Sequence, residues 1–231
     1  MPLIIRAKMW LDGTPEPGWQ IERTDPDPLP GATSGIWLYR GGTGEAVADY
    51  RFDDYTLHNS RGRLLGKDTF SREVARNWES AETGGAWTFS GGLPGKGLVT
   101  GGKGVLRIPP ANGGDATLNG VPTATSRAHF VFTPTSSPED GTVYAGVISR
   151  ASGGNSYRGA AYLRPDGAVW TVLQRNGATL GFYILPSTTW AAGQTWHLRS
   201  ETIDPDERPA FAWIGQRAIT RALISGQEIK P

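Results

Sequence analysis

The chain has 231 residues, a formal net charge of +1 and no cysteine, with 32 glycines, 17 prolines and nine tryptophans against only 19% charged residues. Lack of cysteine excludes disulfides, thiolate metal sites and a thiol nucleophile, and a near-neutral charge gives no electrostatic case for nucleic acid, which would need a clustered basic face. The length suits one large domain with a substantial core, and the composition is that of many short strands joined by tight turns, so an all-β fold is predicted.

Residues 3–10 alternate after a short apolar start. Ile5, Ala7 and Met9 fall on one face of a predicted strand and Ile4, Arg6, Lys8 and Trp10 on the other. Arg6 and Lys8 come too early for a signal h-region, and no segment approaches the roughly 20 apolar residues of a membrane span, so neither conventional secretion nor membrane insertion is expected. Residues 12–18 hold two prolines and two glycines and read as a loop. A second strand, 19–24, ends at the cluster Pro26, Pro28 and Pro30; residues 35–40 and 47–55 supply two more. The polar stretch 58–67 reads as a linker whose Leu64 and Leu65 tuck against the body of the protein.

Short strands follow near Trp87, over 105–108 and over 125–133. Residues 142–150 then turn through SGGNS to 157–164, and the Asp-Gly of RPDGA and the Asn-Gly of RNGA each separate β-rich runs. Such dipeptides supply the positive φ that tight hairpins require, so 142–185 is predicted to be an antiparallel meander, with a further strand at 195–203. A meander buries one face. Here that face carries Val143, Ala145, Val147, Val169, Thr171 and Leu173, which a second sheet must cover, and the N-terminal strands are the candidates.

The stretch 68–92, through Asp68, Phe70, Arg72, Trp78, Gly85, Trp87 and Gly92, resembles the opening of lectin-like β-sandwich modules of the concanavalin A or laminin G type, found in tail proteins of phages that infect actinobacteria. The segment RAKMWLDGTPEPGW, from Arg6 to Trp19, with FDDYTL at 52–57, resembles the closing half of the same module. The resemblance spans about residues 3–208. It implies an antiparallel two-sheet jelly roll written in rotated order: a closing half at 1–57, a linker at 58–67, an opening half at 68–208 and a short C-terminal arm at 209–231. Either one chain closes its own sandwich as a circular permutant, or neighbouring subunits exchange halves; ten linker residues reach roughly 30 Å, enough for both. In the arm, Trp213 and Ile214 are too apolar for a solvated tail and Arg217 and Arg221 suit a polar side, so these four are assembly candidates.

The resemblance further implies a phage virion component, a minor tail protein made in the host cytoplasm. Its expected partners are other virion subunits, copies of itself among them, and carbohydrate of the host envelope. Related sandwich glycosidases carry E-x-D-x-x-E or E-x-D-x-E on one strand, aiming all three acids into one cleft. That motif is absent, Glu79 with Glu82 and Asp53 with Asp54 are spaced to diverge, and no enzyme is expected. The readings left are a noncatalytic sugar-binding module, a purely structural assembly protein, and a depolymerase. His58, His129 and His197 lie far apart in sequence, and the runs GGTG and GGKG lack phosphate-loop spacing. No cofactor is expected apart from calcium, for which Asp204, Asp206 and Glu207, or Asp25 and Asp27, are the candidate ligands. For sugar, Trp190 in STTWAAG and Asn155, Tyr157 and Arg158 around the SGGNS turn are the candidates; Trp19, Trp87 and Trp170 read as core and Trp37 as ambiguous.

Overall fold

Alternation of apolar and polar residues becomes strand after strand in the computed structural model, which describes residues 2–205 apart from residues 32, 43–45, 120, 122–124 and 137–140. Asp206, Glu207 and the arm with Trp213, Ile214, Arg217 and Arg221 lie outside the described residues. The strands are β1 (Leu3–Leu11), β2 (Ile21–Asp25), β3 (Thr33–Arg40), β4 (Ala48–His58), β5 (Leu64–Asp68), β6 (Trp87–Phe89), β7 (Gly97–Thr100) and β8 (Lys103–Ile108). They continue with β9 (Asn112–Leu118), β10 (Ser126–Pro134), β11 (Val143–Ser152), β12 (Asn155–Leu163), β13 (Ala168–Arg175), β14 (Ala178–Thr189) and β15 (Trp196–Ile203). All pairings are antiparallel. The first sheet runs β2-β1-β15-β10-β4-β8-β7 with β5 beside β4, and the second runs β14-β13-β12-β11-β3-β9-β6. The protein is therefore an all-β antiparallel sandwich compatible with a jelly roll, with no helix among the described residues.

The predicted meander is β11 to β14, and its turns have the expected chemistry. Asn176 and Gly177 both take positive φ, 51° and 80°, as a two-residue hairpin of the mirror-image type requires. The apolar face of the meander is buried as expected, with Val143, Ala145, Val147, Val169, Thr171 and Leu173 each at most 1% exposed. Strands from the N-terminal segment are woven into both sheets of the one chain. β1 lies against β15 from Ile4↔Ile203 to Leu11↔Trp196, β3 sits between β11 and β9, and β4 between β10 and β8. Met9, Ile36, Leu38 and Phe52 consequently share one core with Trp78, Phe130 and Val147.

Two readings of the sequence need correction. The stretch 58–67 is not simply a linker: His58 closes β4, and β5 returns to pair with it from Tyr55↔Asp68 to His58↔Leu64, with Leu65 against the core and Leu64 left 39% exposed. Trp87 is core, but Trp19 and Trp170 are only half-buried.

The Asp68 motif is a structural knot. Its fully buried carboxylate accepts from the Phe70 amide (2.8 Å), both terminal nitrogens of Arg72 (2.6 and 2.8 Å) and the Trp87 indole (2.7 Å). A buried charge is tolerated because every lone-pair direction is matched by a donor. Arg72 also donates to the Trp78 carbonyl, and Trp78 and Trp87 meet edge to face at 5.1 Å. The residue types at these spacings thus close a core.

Candidate functional site

In the second sheet, residues that alternate with the core positions face outward, and the strand register arranges them in three rows across the sheet. One row runs Tyr39, Tyr144, Tyr162, Trp170 and Ile184. The next runs Asp115, Trp37, Gly146, Ala160, Val172 and Phe182. A third runs Thr117, Gly35, Ile148, Arg158 and Gln174. Six aromatic side chains therefore stand on one face although no two of them are adjacent in sequence.

The rings meet in two neighbouring groups, one on β3, β11 and β12 and one on β13 and β14. Tyr144 meets Tyr162 edge-on at 4.6 Å and lies 5.8 Å from Tyr39 and 6.1 Å from Trp37, while Trp170 stacks on Phe182 at 5.0 Å. Tyr39 is 37%, Ile184 48% and Phe182 55% exposed. Gly146 makes this packing feasible, because a Cβ there would stand 3.1 Å from Trp37 Cε3.

Polar groups stand at both margins of the face, Arg158, Asp115 and Gln174 toward one and Arg164 with Asp166 toward the other. Arg158 lies over the Trp37 ring (4.9 Å to its centre) and its Nη2 is 3.2 Å from Asp115 Oδ1. Gln174, directly opposite Arg158 on the neighbouring strand, donates from Nε2 to the Tyr162 hydroxyl (2.8 Å) and the Gly177 carbonyl (3.1 Å). Burial pushes the Asp115 carboxyl up against the opposing pull of Arg158, and burial together with the nearby Tyr144 raises the Tyr162 hydroxyl, which remains a neutral donor and acceptor. Arg164 lies 4.8 Å over Trp170 with Asp166 3.6 Å away. Flat apolar rings beside fixed hydrogen-bonding groups suit a pyranose, whose C–H faces pack on aromatics while its hydroxyls need partners.

Of the sugar candidates read from sequence, only Arg158 belongs to this face. Trp190 is 3% exposed, a correction to its reading as an exposed loop residue: it plugs the end of the core, donating to the Arg164 carbonyl at 2.6 Å. Tyr157 is fully buried, its hydroxyl given to Asp25 and accepting from the Leu29 amide (3.0 Å), and burial with the Asp25 contact pushes it up to about 12. Asn155 is exposed at the SGGNS turn, away from the aromatic rows. Sequence reading missed Tyr39, Tyr144, Tyr162, Phe182 and Gln174. Period-two alternation marks each as sharing a face with its strand neighbours, but only the register brings them together.

Among the metal candidates, Asp25 is occupied by Tyr157 and by Arg175, whose Nε lies 3.3 Å from Oδ2. Asp27 stands beside it, its amide donating to Asp25 Oδ1 at 3.0 Å, and Asp204 has partners of its own. Among the described residues no three histidine, aspartate or glutamate side chains converge as ligands. Of the acids weighed for catalysis, Asp53 pairs with Lys103, and Glu82 is held down at about 2 by hydrogen bonds from Thr69 and Lys67.

The outer face of the first sheet is also polar, but its groups serve one another. Glu201, 2% exposed, holds Arg6 at 2.7 Å and Arg127, while Glu16 on the 12–20 loop holds Lys8 at 2.7 Å and Arg199. Two histidines far apart in sequence meet here. His129 Nε2 lies 3.2 Å from His197 Nδ1, His197 Nε2 is 2.9 Å from Asp12 Oδ1, and both rings stack on Trp10, at 5.8 and 4.9 Å. Trp19 is covered by Arg6 and Lys8, 4.3 and 4.5 Å from its ring centre. No protein family, curated protein or solved structure matches the chain.

Proposed function

We propose that this protein is a noncatalytic carbohydrate-binding module of a phage tail, which holds sugar of the host envelope on the outer face of its second sheet. One observation carries the reading: six aromatic side chains from five strands stand on one face with Arg158, Asp115 and Gln174. The phage assignment draws on the resemblance of residues 68–92 and 6–19 to tail modules, and the noncatalytic assignment on the missing acidic strand motif. Calcium has no part in the proposed site.

A second reading, assembly without sugar binding, is favoured by β14. This strand is the edge of its sheet, contains no charged residue, and exposes Phe182, Tyr183 and Ile184. Uncharged apolar edges invite pairing with another strand. Binding to a glycan array and to actinobacterial cell walls separates the two readings. The first expects binding that drops at least about tenfold when Tyr39 and Phe182 are both changed to alanine, since each aromatic–sugar contact contributes on the order of 1 kcal/mol. The second expects no glycan bound and concentration-dependent oligomers that Ile184→Lys abolishes. Release of reducing sugar would overturn both in favour of a depolymerase.

A further inference from the structure

Arg158 and Gln174 are direct cross-strand partners on the outer face, and each carries a buried polar atom with nothing bonded to it. Gln174 is 4% exposed; its amide nitrogen has two acceptors, while its Oε1 has no donor. Arg158 gives its terminal nitrogen to Asp115 and its flat face to Trp37, while its Nε–H has no acceptor. Buried orphans of this kind mark a place that a ligand or water completes, because a native fold rarely leaves them unpaired. Here one unpaired acceptor and one unpaired donor stand on directly opposed residues, at the edge of the aromatic rows.

From this pair we infer that the face takes an uncharged group offering both a donor and an acceptor, a hydroxyl pair or the amide of an N-acetylated sugar, and that it discriminates against carboxylated sugars. The inference rests on the sugar-binding reading above. A sugar hydroxyl or acetamido N–H donates to Gln174 Oε1, and the neighbouring hydroxyl oxygen or acetamido carbonyl accepts from Arg158 Nε. A carboxylate only accepts. It would satisfy Arg158 but set an anionic oxygen against Gln174 Oε1 and beside the Asp115 carboxylate. The guanidinium offers little compensation, because Asp115 already neutralises it at 3.2 Å, and Arg164, a cation at the opposite margin of the face, has Asp166 3.6 Å away. Asp115 is thus a specificity-determining residue, and Gln174 the residue that reads the donor.

The test measures binding of the full chain to three immobilised polymers: a neutral glucan, an N-acetylhexosamine polymer and a polyuronate. The wild type is expected to hold one of the first two at least about tenfold more tightly than the polyuronate. Gln174→Leu, which keeps the shape but not the acceptor, should weaken that binding by several-fold to about tenfold, the worth of one hydrogen bond. Gln174→Met serves the same purpose if the leucine variant has a lowered melting temperature. Asp115→Asn, equal in shape, leaves Arg158 unneutralised and should raise polyuronate affinity in a salt-sensitive way, so that the ratio of polyuronate to neutral binding rises. The inference is overturned if the wild type prefers the polyuronate, if neutral binding ignores both Gln174 substitutions, or if Asp115→Asn brings no gain. Binding to none of the three removes the sugar-binding reading itself, and the inference with it.

Discussion

Burial at His129 sets the acid sensitivity of the first sheet. Desolvation, then the charges of Arg199 and His197, push its imidazole down to about 3 from an ordinary value near 6.5, against smaller opposing effects of Glu16 and the Asp54 backbone. The unfolded chain therefore binds a proton below about pH 6.5 that the folded chain refuses until about pH 3. Its contribution to stability is complete above pH 6.5 and is lost as the pH falls through that window. His58, also lowered by burial and by Arg127 and Arg199, acts in the same direction. Asp12 and Glu82, both lowered by their hydrogen bonds, add to the loss only below the ordinary carboxylate range. Urea unfolding measured from pH 7 to 4.5 should show stability falling by on the order of 2 kcal/mol after allowance for solvent screening, and His129→Gln should flatten most of that slope. A slope unchanged in the variant would assign it elsewhere. Nothing local in the sequence announces this pair: His129 and His197 meet only because β10 and β15 are neighbours, at the register His129↔Arg199. Trp190 and Tyr157 mislead for a related reason, since polar or glycine-rich flanks suggest exposure while a buried carbonyl or carboxylate satisfies the ring's one polar atom.

Strands were legible in proportion to their alternation and their turns. β1, β11, β12 and β13 carry long period-two patterns bounded by glycine or proline, whereas β9, NGGDATL, has two glycines where strand formers are expected, so alternation does not mark it. Its glycines are required by contact. A Cβ on Gly113 would sit 2.2 Å from the Leu38 carbonyl oxygen, and one on Gly114 2.0 Å from that of Ser90. β5 and β7, five and four residues long, are too short for alternation to emerge. The Asn176–Gly177 turn joins this scale to the proposed site, because the Gly177 carbonyl helps to hold Gln174. Gly177 has a φ of 80° with nothing within 4 Å of a Cβ, so Gly177→Ala meets conformational strain alone. It should cost about 1 kcal/mol in thermal or urea unfolding. Glycan affinity should fall with it, since the Gln174 amide loses its fixed carbonyl; unchanged affinity in a destabilised variant would mean that Gln174 is held by Tyr162 alone.

Chain connectivity is where sequence and structure meet most closely. Among β1 to β4 only β1 and β2 pair with each other; β3 and β4 draw every strand partner from later in the chain. A two-stranded hairpin is at best marginal in water, so residues 1–57 have no independent fold, and the remaining residues without β3 and β4 have a gap in the middle of each sheet. The resemblance of 6–19 and 52–57 suggested that early strands complete the sandwich, whereas alternation alone did not determine which strands meet. Within one chain β1 lies on β15, and the half-buried outward residues Ile4 and Ile203 face each other at the end of that ladder. Changing both to cysteine should, on oxidation, yield a closed monomer that migrates faster than the reduced chain under denaturing conditions. A covalent dimer as the main product would show that subunits exchange their leading strands. In that case the aromatic face, whose β3 contributes Trp37 and Tyr39 while β11 to β14 contribute the rest, would be built from two chains, and glycan affinity would fall on dilution below the dimer's dissociation constant. A closed monomer makes the face complete in each copy, so that affinity for a short sugar is independent of protein concentration.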